Sequence, residues 1–371
     1  MDLATIFEQE AYMPDATTLP VGWQQSAWSS PSNIALIKYW GKYPGQIPAS
    51  PSLSFSLSAC RTYTVIRWKK AAGPTPEVRF FFDGQPQPAF QKRVTAYINS
   101  IKRWLPWLSL ADLEIDSRNT FPYGAGIASS ASAFSSLALS LLDIDRQLRP
   151  KEIPSCDFFR KASFLARVGS GSAARSVFKG LVLWGRHPEV EDSSDEIAIP
   201  LNGIKQPFRW GDLILITHAG EKKVSSSAGH RLMENHPFAE ARYRQAGENI
   251  SSFLKALREN DRNEMIKIIE QEALTLHALM LSAQPGFTLL NDRSWKLIES
   301  IRNFREKTGL TVAFTLDAGP NVHLLYDLSV RDKVLLFAEK ELKQFCSGGY
   351  LIDDQEGSGP EPIKNSDETT L

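Results

Sequence analysis

Cysteine is scarce in this chain. There are three, Cys60, Cys156 and Cys346, among 371 residues. They are odd in number, widely spaced and form no CxxC pair. Neither a disulfide framework nor a cysteine metal site is expected, and a reducing compartment is implied. Long apolar runs are also lacking, and none approaches the roughly 18 residues that a membrane-crossing helix needs. The opening "MDLATIFEQE" carries acidic residues and no apolar core, which argues against a secretory signal. The cytoplasm is the expected location. Neither sign of charge is in excess: Lys+Arg and Asp+Glu both number 42. Bulk affinity for nucleic acid or for a membrane is therefore not expected, although a local basic cluster can still hold a small anion. The six histidines show no HxxxH or HExxH spacing, which argues against a protein-ligated zinc.

What is present reads as an ordinary globular protein, 42% hydrophobic and 23% charged. Its length suggests two lobes. Residues 1–25 read as an irregular lead-in. From Trp28 to Trp68, β-branched and small residues broken by Pro31, Pro44, Pro48 and Pro51 suggest strands joined by loops. "EVRFFFDGQP" is a strand running into a turn at Asp83-Gly84. Phe90 to Leu105 carries Val94, Ile98, Ile101 and Leu105 at helical spacing. Leu113 to Asp145 reads as a strand, a Gly-rich loop and a helix. Further helices are predicted over 158–168, 228–260, 262–282 and 294–309, the last closed by Gly309. "GLVLWG", "DLILIT" and "TVAFTL" read as strands. The polar tail 353–371 is expected to be disordered. Strands and helices in mixed order predict an α+β protein, with an N-terminal lobe over 26–200 and a C-terminal lobe over 201–352.

Four stretches can carry chemistry. "PYGAGIASSASAF" (Pro122 to Phe134) places Gly124 and Gly126 before a Ser-rich helix start. That start is either a phosphate cradle or a Ser-capped helix, and spacing leaves both open. "RVGSGSAARS" (Arg167 to Ser176) alternates glycine and serine before Arg175, whose planar fork suits carboxylate or phosphate. Read alone, the stretch is better taken as a polar loop with a surface arginine. "SNIALIKYWGK" sets Lys38 inside an apolar run with Lys42 after Gly41, so Lys38 either snorkels or faces an anion. In "AFTLDAGPNVHLL", Asp317 ends an apolar strand against the Gly319-Pro320 turn. It either caps that turn or is a carboxylate held towards a site. His277, inside a predicted helix, reads as a packed or hydrogen-bonded core residue.

Together, "NIALIKYWGK", "SLSFSLS", "FPYGAGIASSAS", "ARVGSGSAARS", "LHALMLSAQPGF" and "FTLDAGPN" resemble diphosphomevalonate decarboxylases, in the order seen there. These belong to the superfamily that includes galactokinase, homoserine kinase and mevalonate kinase. The resemblance implies two α+β lobes around a deep cleft, the two-lobe fold of those small-molecule kinases. It implies ATP and Mg²⁺ as co-substrate and cofactor, mevalonate 5-diphosphate as substrate, and a homodimer. The 3-hydroxyl would be phosphorylated, then lost as phosphate together with CO₂ to leave isopentenyl diphosphate.

By the same resemblance, Asp317 matches the catalytic aspartate at that hydroxyl, and Lys38 a lysine beside it. Tyr39, Trp40, Gly41 and Lys42 match the segment that holds the substrate diphosphate, with Arg93 more loosely placed there. Ser170, Gly171, Ser172, Ala173, Ala174 and Arg175 match the substrate loop, whose arginine engages the carboxylate. Gly124, Gly126, Ser129, Ser130 and Ser132 match the nucleotide phosphate loop, with Ser129 a candidate contact for the Mg²⁺ that ATP brings. Ser227 falls where the family adds a hydroxyl or basic group. Three departures stand out: Ala174 where cysteine is frequent, "PYGAG" for the more usual Pro-Thr-Ala-Ala-Gly, and "AGH" with His230 where Gly-Met is common. Related members decarboxylate mevalonate 5-phosphate or only phosphorylate a 3-hydroxyl. The presence of both Asp317 and Lys38 favours decarboxylation, and with Arg175 argues against a silent binding protein.

Overall fold

The computed structural model describes residues 2–122, 126–150, 154–218, 220 and 226–364, with the side chains of 155, 156 and 226–228 outside that description. Two β-sheets organise the chain. The larger is built on two long antiparallel strands, Gln24–Ile37 and Ser52–Lys70, followed by Ala111–Asn119, Val78–Phe82 and Gln85–Pro86. Leu181–Trp184 pairs with the first part of Ser52–Lys70 and carries Ala198–Pro200 at its side. The smaller sheet runs Val312–Leu316, Val322–Asp327, Trp210–Leu215, Leu351–Gln355, all antiparallel. Strands alternate with helices irregularly, and one pairing of the large sheet, Val78–Phe82 with Ala111–Asn119, is parallel. This is the α+β arrangement expected.

Helices Pro88–Ile101, Ser129–Leu148 and Ser155–Gly169 bury their apolar stripes on the large sheet, through Ile98, Leu141 and Leu165 among others. Helices Ala239–Glu259 and Arg262–Ser282 pack Phe253, Ile250 and Met265 against Ile34, Phe55 and Ile214, a core that draws on both sheets. Asp292–Thr308 begins with an Asn291 capping box and ends at Gly309 in the left-handed conformation, as the Gly309 stop predicted.

The strand Gln24–Ile37 has an unusual interior, because serines replace the expected aliphatic residues. Ser30 donates to the Ser176 carbonyl at 2.9 Å and accepts from Ser135 Oγ at 2.6 Å, and Ser32 donates to the Ile127 carbonyl at 2.6 Å. Each hydroxyl thereby replaces its lost water with a partner from the Ser-rich helix or the Gly-Ser loop. The strand thus ties together the motifs at 32–42, 126–132 and 170–176.

Three expectations need correction. The lead-in is not wholly irregular. Leu3–Gln9 is a helix capped by Asp2, whose carboxylate accepts the Thr5 N–H at 2.8 Å, and its Phe7 is buried edge-on against Phe164. A helix of about two turns is too short for periodicity to reveal. The tail is ordered through residue 364: Leu351–Gln355 completes the small sheet, and Glu361–Pro362 pairs with Trp28 and Ser29 in the large one. Backbone pairing holds these polar residues, and the Asp354 carboxylate accepts the N–H groups of Ser58, Ala59 and Cys60 at 2.9, 2.8 and 2.7 Å. Residues 365–371 lie outside the described residues. The helix expected over 228–260 is broken: Ser226–Arg231 gives way to a short 3-10 turn, Leu232–Asn235, and Ala239–Glu259 begins after Pro237, which cannot continue a helix from its amino side.

Candidate active site

A cleft of about 460 Å³ opens where the ends of the two sheets meet. Lys38, immediately after Gln24–Ile37, comes from one side, and Asp317, immediately after Val312–Leu316, from the other. Arg175, in the 3-10 turn Gly171–Val177, closes the third side.

Lys38 is 2% exposed, and its ammonium donates to the Ala35 carbonyl. Burial lowers its pKa to about 8, while the Asp317 and Glu272 carboxylates oppose that shift. Both backbone groups of Lys38 are held by one buried ion pair. Its N–H donates to Glu272 Oε2 at 2.8 Å, and its carbonyl accepts from Arg242 Nη2 at 2.9 Å. Arg242 grips Glu272 by two bonds, of 2.7 and 2.6 Å, and Asn249 adds a third donor at 2.6 Å. The lysine is thus anchored through its main chain to the helices Ala239–Glu259 and Arg262–Ser282.

Arg175 is likewise buried. Its guanidinium donates to Asn33 Oδ1 at 3.2 and 3.3 Å and to Ser52 Oγ, and lies over the Trp184 ring. Burial brings its pKa down to about 10 against the pull of Asp317. It remains a cation at neutral pH, with one carboxylate nearby. The Gly319 N–H donates to the Asp317 backbone carbonyl at 2.7 Å, so the turn after the strand closes through the main chain. His277 Nε2 lies 3.2 Å from the same carbonyl. A carbonyl only accepts, so that nitrogen carries the hydrogen. His277 is the hydrogen-bonded helix residue expected, and it also pins the backbone of Asp317.

At the opposite end from Asp317 the wall is basic. Lys42 donates to Gln46 Oε1 at 2.8 Å, and its pKa is lowered by burial and by the nearby Arg231 and Arg93 guanidiniums. Three cations so close together favour a multiply charged anion. Gly41 has φ +89°, and a Cβ there would meet Tyr243 Oη at 2.5 Å, so the chain turns in a conformation and a space that suit glycine alone. Gly171 is nearly as tight on the cleft side, since a Cβ would lie 2.7 Å from both Tyr39 Oη and the Trp184 ring.

Among the sequence candidates, the cleft brings together Lys38, Tyr39, Trp40, Lys42, Arg93, Gly126, Ser129, Ser130, Ser170, Gly171, Ser172, Arg175 and Asp317. Ser129 and Ser130 open the helix Ser129–Leu148, and Ser130 Oγ lies 3.2 Å from Ser170 Oγ, joining the two Gly-Ser segments. Four candidates do not face the cleft. Ser132 is buried with its hydroxyl 2.6 Å from Thr62 Oγ1, because the fourth residue of that helix turns towards the sheet. Ala173 and Ala174 are fully buried in two apolar clusters. Gly41 shapes the wall from behind, its N–H donating to His230 Nδ1 at 3.0 Å. Gly124 lies outside the described residues. Ser227 sits in the helix Ser226–Arg231, with its side chain outside the description.

Several wall residues escaped sequence reasoning. Asn33 was legible as a polar residue within an apolar strand. Phe80, Phe82 and Phe90 form an aromatic wall beyond Ser129. Their signal was the "RFFF" run, which read only as a strand. The Arg242–Glu272 pair had no local signal, since the two residues are 30 apart.

The chain is similar to known proteins along most of its length. Residues 30–195 match the diphosphomevalonate decarboxylase-like N-terminal domain, and residues 212–359 the mevalonate 5-diphosphate decarboxylase C-terminal domain. The chain is 33% identical over 323 residues to the diphosphomevalonate decarboxylase of Ganoderma lucidum, covering 80% of this chain and 77% of that one. Mevalonate diphosphate decarboxylase from Staphylococcus aureus superposes with a TM-score of 0.77 at 27% identity, over 92% of this chain and 99% of that one. A structure of MDDEF in complex with MVAPP, AMPPCP and magnesium superposes with a TM-score of 0.76 at 29% identity, over 93% and 100% of the two chains.

Proposed function

We propose, from the premise that this chain belongs to the diphosphomevalonate decarboxylase family, how its cleft carries out the ATP-dependent decarboxylation of mevalonate 5-diphosphate. The observation that carries the reading is the convergence of Lys38, Arg175 and Asp317, from three separate segments, on one buried corner of the cleft.

The substrate diphosphate lies against Lys42 and Arg93, with the Arg231 charge nearby. Its carboxylate meets Arg175, whose planar fork is already oriented by Asn33 and Ser52. This sets the 3-hydroxyl at Asp317, which orients it and takes its proton as the γ-phosphoryl group of ATP is transferred to the oxygen. Lys38, cationic below pH of about 8, keeps Asp317 ionised and faces the incoming phosphoryl group. The C3–O bond then breaks and phosphate leaves. The electrons of the bond to the carboxylate form the C2=C3 double bond, and CO₂ departs. Positive character at C3 is stabilised by the adjacent carboxylate. The aromatic wall of Phe80, Phe82 and Phe90 suits a purine base.

Among the described residues there is no cluster of three or more His, Cys, Asp or Glu able to cage a metal. The half-buried Ser129 hydroxyl at the cleft would be the protein contact for Mg²⁺ carried on the ATP phosphates. Bound there, it would neutralise phosphate charge.

The test is a coupled assay of ADP and CO₂ with mevalonate 5-diphosphate and mevalonate 5-phosphate side by side. Equal release of ADP and CO₂, faster with the diphosphate, is expected. ADP without CO₂ overturns the reading.

A further inference from the structure

His230 stands in the cleft wall between the reacting corner and the basic end. Three consecutive residues fix its ring. Tyr39 and Trp40 pack on it with centroids 4.3 and 4.7 Å away, and the Gly41 N–H donates to Nδ1 at 3.0 Å. An N–H can donate to Nδ1 only if that nitrogen carries no hydrogen, so the hydrogen sits on Nε2. No described residue accepts from Nε2, and the residue is 8% exposed and lines the cleft, which leaves that donor available to a ligand there. Burial and the facing Lys42 push the imidazole pKa down to about 3, so the ring stays neutral. A neutral donor adds a hydrogen bond beside Lys42 without adding repulsion to a site that already gathers three cations.

We propose that His230 is a substrate-binding residue whose Nε2–H donates to an anionic oxygen of the bound phosphorylated substrate. This rests on the functional reading above. It makes residues 39–41 and His230 one device, in which the backbone of the diphosphate segment chooses the tautomer that its neighbour offers to substrate.

The two ring nitrogens can be tested separately. In His230→Asn the amide oxygen can replace Nδ1 and accept from Gly41, but nothing replaces Nε2–H. In His230→Gln the amide nitrogen can replace the Nε2 donor, while the bond to Gly41 is lost. His230→Met removes both. The readouts are KM for mevalonate 5-diphosphate, KM for ATP, and the dissociation constant of inorganic diphosphate by calorimetry.

We expect Asn and Met to raise the substrate KM and the diphosphate dissociation constant about tenfold, with the KM for ATP moving less than about twofold and Gln staying within about threefold of wild type. Wild-type behaviour in Asn with loss in Gln would overturn the proposal, since His230 would then only hold Gly41. Equal loss in all three, or no loss in any, would also overturn it. If the wild-type chain releases no CO₂ the functional reading falls, while diphosphate binding still judges the His230 contact.

Discussion

Two buried lysines in this chain have the same lowered pKa, about 8, and opposite surroundings. Lys38 is 2% exposed and Lys161 4%. In both, burial is the largest cause and a carboxylate opposes it. Lys161 sits between helices Ser129–Leu148 and Ser155–Gly169, 3.9 Å from Asp145, which Arg149 also binds at 2.8 Å. Lys161 does not line the cleft. Lys38 lies at a cleft, beside a carboxylate and an arginine carried by other segments, with its main chain gripped by Arg242 and Glu272. A perturbed pKa therefore does not mark function by itself. Open space and convergent groups do.

The sharpest break in this comparison is Asp317→Asn, which removes the charge that Lys38 faces. It should cost on the order of 10³-fold in kcat with an unchanged melting temperature. A near wild-type rate would make Asp317 structural. Lys38→Met should cost about 10²- to 10³-fold in kcat. Because the Lys38 pKa is lowered to about 8, the ammonium is present below that pH and lost above it. Wild-type kcat should fall as pH rises through about 8, and the profile up to pH 9 checks this. Glu272→Gln leaves the buried Arg242 with a weakened partner and loosens Lys38. Roughly 3 kcal/mol of stability should be lost, read by denaturant unfolding, with kcat falling about tenfold while substrate KM holds. The smallest effect belongs to Lys161→Met: stability within about 1 kcal/mol of wild type, and an unchanged pH profile. A profile shifted by Lys161→Met would erase the distinction between the two lysines.

The strand Val312–Leu316, its Asp317 and the helix stopped at Gly309 were legible because each has a dense local signal: apolar residues in a short run, or a glycine free to take positive φ. The motifs around Lys38 and Arg175 were legible as stretches, but Arg175 read alone passes for a surface residue. Its burial depends on Asn33 and Ser52, far away in the chain. The strands at 351–362 were missed because residues such as Asp353, Asp354 and Glu361 are held by backbone pairing and carry no apolar alternation. Ser132 was placed with the wrong neighbours, since a run of serines does not say which hydroxyl turns inward. His230 stood out as an unusual residue, but only the Gly41 contact reveals which of its nitrogens is available.

Asp354 and the two flanking strand segments bear on how the protein comes into being. The carboxylate that gathers the N–H groups of residues 58–60 and the strand that pairs with Trp28 and Ser29 are separated from their partners by about 300 residues or more. On the ribosome, these contacts can form only after the chain has been translated through residue 362. The edges of both sheets must wait, unpaired, for the last part of the chain to emerge. A nascent chain paused before residue 351 should therefore be open to protease at the edge of Gln24–Ile37, where the finished protein is closed.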